Sequence, residues 1–334
     1  MLRWILMLCI VLTVACGGST SDQSTEMESE INAEAVTIYR RHPALDNLVP
    51  LDALIEQIGE GFGFTEGPAW VPRGDGFLLF SDIPANTIFQ WTPEGVTEFY
   101  GPVYEGDFEE GRLVGSNGII VDPEGQIVFT EHFNGRISRV DAAGNRSTVV
   151  DNYEGGRLNS PNDLVYKSDG SLFFTDPSFG LPSPEAKALD VNGIYKLSPG
   201  GDLTLLADQP APNGLAFSPD ESRLYVADSM GKSWFVYEVA EDGTLSAGEI
   251  FFDASQTEAP GAADGLKVDA QGNLWATGPG GVWIISPDGQ HLGTLIPPQP
   301  PANVAWGDSD GKTLYMTARD KLYRIRVNVA GDGW

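Results

Sequence analysis

The sequence predicts an all-β protein, a six-bladed β-propeller with four antiparallel strands in each blade. Three observations support this fold class. The 334 residues include 40 glycines and 23 prolines, which the interiors of helices exclude. One apolar segment type recurs six times along the chain, and a second apolar run follows each copy. Repeats of about 40–50 residues built from short strands are typical of propeller blades.

The first strand of each repeat opens with an oxygen-bearing side chain. The six segments read EGPAW, SNGIIVD, PNDLVY, PNGLAF, ADGLKVD and ANVAWG. We call the equivalent residues the mouth residues; they are Glu66, Asn117, Asn162, Asn213, Asp264 and Asn303. Their spacings of 51, 45, 51, 51 and 39 residues set the length of the repeat.

The other strands of each repeat follow in order. The second runs are FLLFSD, QIVFTE, SLFFTD, RLYVAD, NLWATG and TLYMTA, and Pro-Asp-Gly-like turns separate them from the first runs. Third strands appear as TIFQW, RISRV, GIYKL, WFVYEV, GVWII and KLYRI, and fourth strands as stretches such as LTLLAD and EIFFD. The sixth repeat ends after its third strand. The earlier segment LDALIEQIGEGF is therefore predicted to supply an N-terminal strand that closes the ring.

The geometry of a propeller gives the mouth residues a shared position. The innermost strand of every blade runs along the central channel, so six blades direct six equivalent side chains to one axis. Asn and Asp also open strands because they favour turns. Turn chemistry explains neither Glu66 nor the absence of Ser, Thr and Lys from the set. A hard cation such as Ca²⁺ takes 6–8 oxygen ligands, and this set can contribute to such a shell.

The N-terminal segment predicts export. Residues 1–15 combine an early Arg3 with an apolar stretch and small residues, as in a signal peptide. The ending TVAC resembles a bacterial lipobox, which predicts lipidation of Cys16 and a flexible polar tether over residues 16–45. The propeller is expected to occupy residues 46–334. The protein would then be exported and anchored through lipid, at the periplasmic face or the cell surface.

Composition excludes several kinds of function. The formal charge of −27 argues against nucleic acid or anionic lipid as a partner, because both require clustered Lys and Arg. The two cysteines are Cys9 and Cys16, so the predicted propeller has no thiolate, disulfide or cysteine-bound zinc. No P-loop or dinucleotide fingerprint occurs.

Seven motifs in order carry a resemblance to a known family. They are TEGPAW, RLNSPNDLV, FFTDPSFGL, PNGLAFSPDE, LYVADS, DGLKVD and TGPGGVW. Over residues from about 50 to 327 the chain resembles the SMP-30/gluconolactonase family, also called regucalcin-like, of six-bladed calcium-dependent hydrolases. It looks most like the bacterial gluconolactonases.

The resemblance implies a metal site and a reaction. Calcium, or another divalent cation, would be held by Glu66, Asn162, Asn213 and Asp264. The reaction would be hydrolysis of a small-molecule lactone, typically an aldonolactone. The cation would polarise the carbonyl, and a carboxylate would help a water molecule to attack. Asp264 is the first candidate for that base or nucleophile.

Further residues are expected to line the channel or contact substrate. Asn117 and Asn303 complete the mouth residues, and His132, after the second strand of blade two, could bind substrate or shuttle protons. Arg157 and Asn159 precede Asn162 and could hold sugar hydroxyls. Asp163 is the second candidate base, although strand alternation is expected to turn it away from the axis if Asn162 faces inward.

Two other functions remain open at this point. The propeller could bind a sugar or a protein at the cell surface without catalysis, since the fold alone does not determine function. The same site could instead hydrolyse an aryl ester or an organophosphate. The polar neighbours of the site suit a polyhydroxylated lactone better than an apolar ester.

Overall fold

The structure is a computed structural model that describes residues 37–109, 111–181, 183 and 186–333. The predicted signal peptide, Cys16 and the tether as far as residue 36 lie outside the described residues. Within the described part of the chain, no helix is long and apolar enough to cross a membrane.

Almost all of the regular secondary structure in the described residues is β-strand. In chain order the first elements are β1 Thr37–Arg40, helix α1 Leu45–Leu48, β2 Ile55–Glu60, β3 Thr65–Val71, β4 Phe77–Asp82, β5 Thr87–Thr92, β6 Gly95–Tyr100, β7 Ser116–Val121, β8 Ile127–Glu131, β9 Arg136–Val140, β10 Arg146–Val150, β11 Asn152–Tyr153 and β12 Gly156–Arg157. The next are β13 Leu164–Tyr166, β14 Leu172–Asp176, β15 Gly193–Leu197, β16 Leu203–Asp208, β17 Pro212–Phe217, β18 Arg223–Asp228, β19 Ser233–Glu238 and β20 Glu249–Asp253. The last are β21 Leu266–Val268, β22 Leu274–Gly278, β23 Gly281–Ile285, β24 His291–Ile296, β25 Asn303–Gly307, β26 Thr313–Ala318 and β27 Lys321–Arg326.

These strands form the six predicted blades. Blades one to four are the antiparallel sheets β3–β6, β7–β10, β13–β16 and β17–β20. Blade five is β21–β24 with β1 as a fifth strand, and blade six is β25–β27 completed by β2. The first strands pack against one another around the ring, β3 against β7 and β25, β17 against β13 and β21. The six-bladed propeller is confirmed.

The hydrophobic core lies between neighbouring blades. Both faces of each sheet are covered, so the second strands are continuous apolar runs and β14 is buried at every position. Aromatic pairs join most of the blades, and each pair contributes about 0.5–1.5 kcal/mol beyond the area it buries. Their ring centroids are 5.0–5.9 Å apart: Tyr100–Phe129, Phe173–Phe217, Trp234–Trp283, Trp275–Trp306 and Tyr315–Trp70.

The N-terminal part of the chain closes the ring, as predicted. Strand β2 pairs with β27, with Ile55 opposite Ile325, and the indole of Trp91 donates a hydrogen bond of 3.0 Å to the carbonyl of Ile58. Strand β1 lies in the segment assigned to the tether, yet it pairs with β24. Ordered structure therefore begins before residue 46, because β1 covers the outer edge of blade five.

Candidate active site

The first strands bring the mouth residues to one end of the channel. Five of them are at most 5% exposed, and the sixth, Asp264, is partly exposed while its Oδ1 atom is enclosed. Three of the blades carry a shift in strand register next to the mouth residue, between Glu66 and Ala69, Ser116 and Ile119, and Pro212 and Leu215. A bulge changes the direction of a side chain, and here it lies where the strand meets the mouth.

Glycine after the mouth residue allows neighbouring blades to approach closely. Gly67 has φ +53°, and a Cβ atom there would lie 1.8 Å from the carbonyl oxygen of Asn117 in the next blade. A Cβ on Gly214 would lie 2.5 Å from the carbonyl oxygen of Asp264. The backbone of one mouth residue therefore touches the glycine that follows the previous one, which fixes the size of the ring at this end.

A row of buried hydroxyl groups holds the mouth residues from behind. Each hydroxyl belongs to the second strand of one blade and donates to the backbone carbonyl of the mouth residue in the next blade. The pairs are Ser81 to Asn117, Thr130 to Asn162 and Thr175 to Asn213, each at 2.8 Å. These residues were not predicted from the sequence. Their signal was the Ser or Thr before the final acid in FLLFSD, QIVFTE and SLFFTD.

Polar contacts of Asn303 connect blade six with the neighbouring blade one and, across the channel, with blade three. The amide of Asn303 donates to Glu66 Oε2 at 3.1 Å and to Asp163 Oδ2 at 3.4 Å. Asp163 therefore faces the channel, and the expectation that it turns away is wrong. Strand β13 begins at Leu164, so Asn162 and Asp163 precede it and do not alternate as strand residues do.

Burial and mutual repulsion make the acids of the site hard to ionise together. The pKa of Glu66 is raised to about 7, mainly by burial and in part by the negative charge of Asp163, while hydrogen bonds from the Gly67 N–H and Asn303 oppose the shift. Burial also raises the pKa of Asp264 well above its usual value, assisted by the charges of Glu66 and Asp163. A bound cation would relieve both effects.

The donor set fits a hard cation. Three enclosed oxygen atoms of the mouth have no hydrogen-bond partner: Asn117 Oδ1, Asn213 Oδ1 and Asp264 Oδ1. Buried polar atoms are nearly always paired, so unpaired oxygens gathered at one place suit a ligand that accepts lone pairs. Within the described residues, no cluster of three or more His, Cys, Asp or Glu suitable for a metal ion occurs. Two of the four expected ligands are asparagines, which belong to none of those four types.

His132 is a neutral imidazole enclosed beside the site. Its side chain is 2% exposed, and burial lowers its pKa to about 4. The ring donates a hydrogen bond to the carbonyl of Pro161, next to Asn162, while Nδ1 has no partner. Gly180 packs directly on the ring, where a Cβ atom would lie 2.3 Å from Cδ2. An uncharged ring nitrogen is thus available close to the mouth.

Arg157 and Asn159 use most of their side-chain donor groups on backbone carbonyls of their own loop and of neighbouring loops. The Arg157 guanidinium donates to the carbonyls of Leu158 and Asn159 at 2.8 Å each, and also to that of Phe133. The Asn159 amide donates to the carbonyl of Val191 at 2.9 Å. These two residues shape the loop before Asn162, which leaves them few donors for substrate hydroxyls.

Comparison with known proteins shows that the chain is similar to lactonases over most of its length. A family model described as SMP-30/Gluconolactonase/LRE-like region matches residues 64–320. A gluconolactonase from Zymomonas mobilis is 39% identical over 317 residues, which cover 88% of this chain and 87% of that protein. The pentonolactonase XacC of Haloferax volcanii is 26% identical over 75% of this chain and 80% of its own length. The solved structure of a gluconolactonase from Xanthomonas campestris has 32% identity and a TM-score of 0.77, covering 87% of this chain and 94% of that one.

Proposed function

The chain belongs to the SMP-30/gluconolactonase family. We propose that it is an enzyme that hydrolyses the ester bond of a sugar lactone. It would hold a divalent cation at the mouth of its channel, with Ca²⁺ as the first candidate. The relatives named gluconolactonase and pentonolactonase support the reaction class. The structural observation that carries the proposal is the group of enclosed, unpaired oxygens at the mouth, on Asn117, Asn213 and Asp264.

The proposed ligands of the cation are Glu66, Asn162, Asn213 and Asp264. The two carboxylates neutralise a divalent ion, and the four ligands together leave coordination positions for substrate and water. When bound, the cation would polarise the lactone carbonyl and stabilise negative charge on its oxygen. The hydroxyl row behind the mouth supports this proposal, because it fixes the backbones of Asn162 and Asn213.

Asp264 is the proposed general base. Its carboxylate would take a proton from the attacking water while the oxygen of that water bonds to the lactone carbonyl carbon. The ring C–O bond then breaks, and its oxygen takes that proton from Asp264 and leaves as the hydroxyl of the open acid. The enclosed Oδ1 atom of Asp264, which has no hydrogen-bond partner, supports this role because its lone pairs are free to accept a proton.

The surroundings of the site favour a polyhydroxylated substrate. Asn117 has an unpaired amide oxygen, and His132 has an unpaired ring nitrogen. These groups can accept hydrogen bonds from sugar hydroxyls, whereas an apolar aryl ester would leave them unpaired. An aldonolactone is therefore the proposed substrate class.

The test is hydrolysis by protein that has been stripped with chelator and reloaded with CaCl₂. A pH-stat follows turnover of aldonolactones, simple lactones, an aryl ester and an organophosphate. We expect lactone turnover that calcium restores, and a loss of at least about 100-fold in Asp264→Asn, the size typical for a catalytic base. Asp288→Asn, at an exposed turn, is the matched control. Absence of lactone turnover in the reloaded protein would reject the proposal.

We further propose export and lipid anchoring through Cys16, on the basis of its signal-like segment. Mass spectrometry of the mature N-terminus is expected to show a lipidated Cys16, and Cys16→Ser is expected to release the protein from the membrane fraction. An unmodified Cys16 in membrane-derived protein would contradict this.

A further inference from the structure

Lys267 places a positive charge inside the channel, below the mouth. It lies in β21, three residues after Asp264 in the chain. Its amine is 3.8 Å from Asp163 Oδ2 and donates a hydrogen bond of 3.0 Å to the carbonyl of Leu266. It is also the cation that lowers the pKa of Glu66, against the effect of burial.

The lysine reaches the channel from the face opposite the mouth. Two cavities of about 630 and 700 Å³ lie there, and Lys267 lines both of them. Their other walls are later residues of the first strands, such as Ala69 and Ala216, and the turns that follow those strands. The side chain is 30% exposed, whereas the carboxylate that it faces is 4% exposed. Lys267 therefore connects an accessible cavity with an enclosed acid.

The negative charges in the channel explain why the positive charge of Lys267 is needed. Three carboxylates act on one another there: Glu66, Asp163 and Asp264. A divalent cation held by Glu66 and Asp264 balances two negative charges and leaves that of Asp163. An enclosed carboxylate without a counter-charge is strongly destabilising, and Lys267 is placed to supply one.

We propose that Lys267 is a positioning residue, the built-in counter-charge of Asp163. It holds Asp163 beneath the mouth, so that Asn303, which donates to both Asp163 and Glu66, keeps Glu66 in place. It also reserves the charge of Glu66 and Asp264 for one divalent cation. This role toward the divalent cation rests on the proposed function, whereas the pairing of Lys267 with Asp163 does not.

Charge-changing variants separate this role from simple packing. Lys267→Met keeps the length of the side chain and removes its charge, so the charge of Asp163 then acts on the bound cation. We expect calcium to bind roughly tenfold more tightly and the chelator-treated protein to melt at a lower temperature. Asp163→Asn leaves Lys267 unbalanced, and calcium is expected to bind roughly tenfold more weakly. A packing role would not give opposite signs.

The double variant Lys267→Met/Asp163→Asn provides the decisive comparison. It removes both charges, so its calcium affinity and its melting temperature in chelator are expected to return to within about threefold and a few degrees of wild type. Lys267→Arg keeps the charge and is expected to retain wild-type affinity. Lys312→Met, before β26 and remote from the channel, controls for the loss of a lysine.

The measurements are calorimetric titration with CaCl₂ and thermal unfolding in EDTA. Effects of the two single variants on the melting temperature in EDTA that simply add up in the double variant would overturn the proposal, as would a Lys267→Met protein that matches wild type in both measurements. If Lys267→Met does not fold, recovery of folding in the double variant supports the pairing, and failure of both rejects it. Missing lactone turnover would reject the proposed function alone, because coupling in EDTA is measured without cation or substrate.

Discussion

Replacing Gly67 with alanine is expected to open the ring beside Glu66. The new Cβ would lie 1.8 Å from the backbone carbonyl oxygen of Asn117, a contact that only a shift of blade one against blade two can relieve. The left-handed backbone at φ +53° costs alanine about 1–2 kcal/mol, and forcing extra atoms into a packed region costs about 1–3 kcal/mol more. The free energy of unfolding should therefore fall by about 2–5 kcal/mol.

Gly74 is the matched control in the same blade. It also has positive φ, +65°, but a Cβ atom there would meet nothing within 4 Å. Gly74→Ala should therefore show only the backbone cost of about 1–2 kcal/mol. Chemical denaturation gives the two free energies, and calcium titration shows whether the mouth has changed, since the Gly67 N–H donates to Glu66 Oε2 at 2.7 Å. Equal destabilisation by the two variants, with unchanged calcium binding in Gly67→Ala, would refute the reasoning.

Three further perturbations test the site and its support. Chelation should lower the melting temperature, because a cation at 100 times its Kd contributes about 2.7 kcal/mol; an unchanged melt would argue against the cation. Thr175→Val removes the hydroxyl that donates to the Asn213 carbonyl at 2.8 Å, and denaturation should show a loss of about 1–3 kcal/mol together with weaker calcium binding. Burial raises the pKa of Asp176 to about 7. The native state thus binds a proton that the unfolded state releases near pH 4, so this carboxyl makes stability fall as pH rises from about 4 to 7, by up to about 4 kcal/mol. Asp176→Asn should lose that decline; parallel pH–stability curves would contradict it.

The sequence predicted the fold because a propeller is a repeated unit. Each copy of the unit carries the same order of mouth residue, apolar run and turn, so six weak local signals reinforce one another. Ring closure was predictable for a related reason: the sixth repeat lacked one strand, and a spare apolar stretch preceded the first. The convergence of Glu66 and Asn303 followed from symmetry, without any knowledge of side-chain contacts.

The contacts below the mouth could not be predicted in the same way. Asp163 faces the channel because β13 begins two residues later than alternation from Asn162 assumes, and the sequence gives no sign of where a short strand begins. Lys267 lies among apolar residues of ADGLKVD, where it reads as an ordinary strand position. Its role depends on its pairing with Asp163, which lies about one hundred positions earlier in the chain. Repeats define equivalent positions, whereas contacts between different positions require coordinates.

The strand that completes blade six belongs to the beginning of the chain, and its partner β27 belongs to the end. During synthesis, β2 therefore emerges long before the strand with which it pairs. Its unpaired backbone groups must not pair with other edge strands until β27 follows. Assembly of the last blade is a late, long-range event, and the mouth acquires its sixth side only then. A polypeptide halted before β27 would leave β2 without its partner and blade six without its two outer strands.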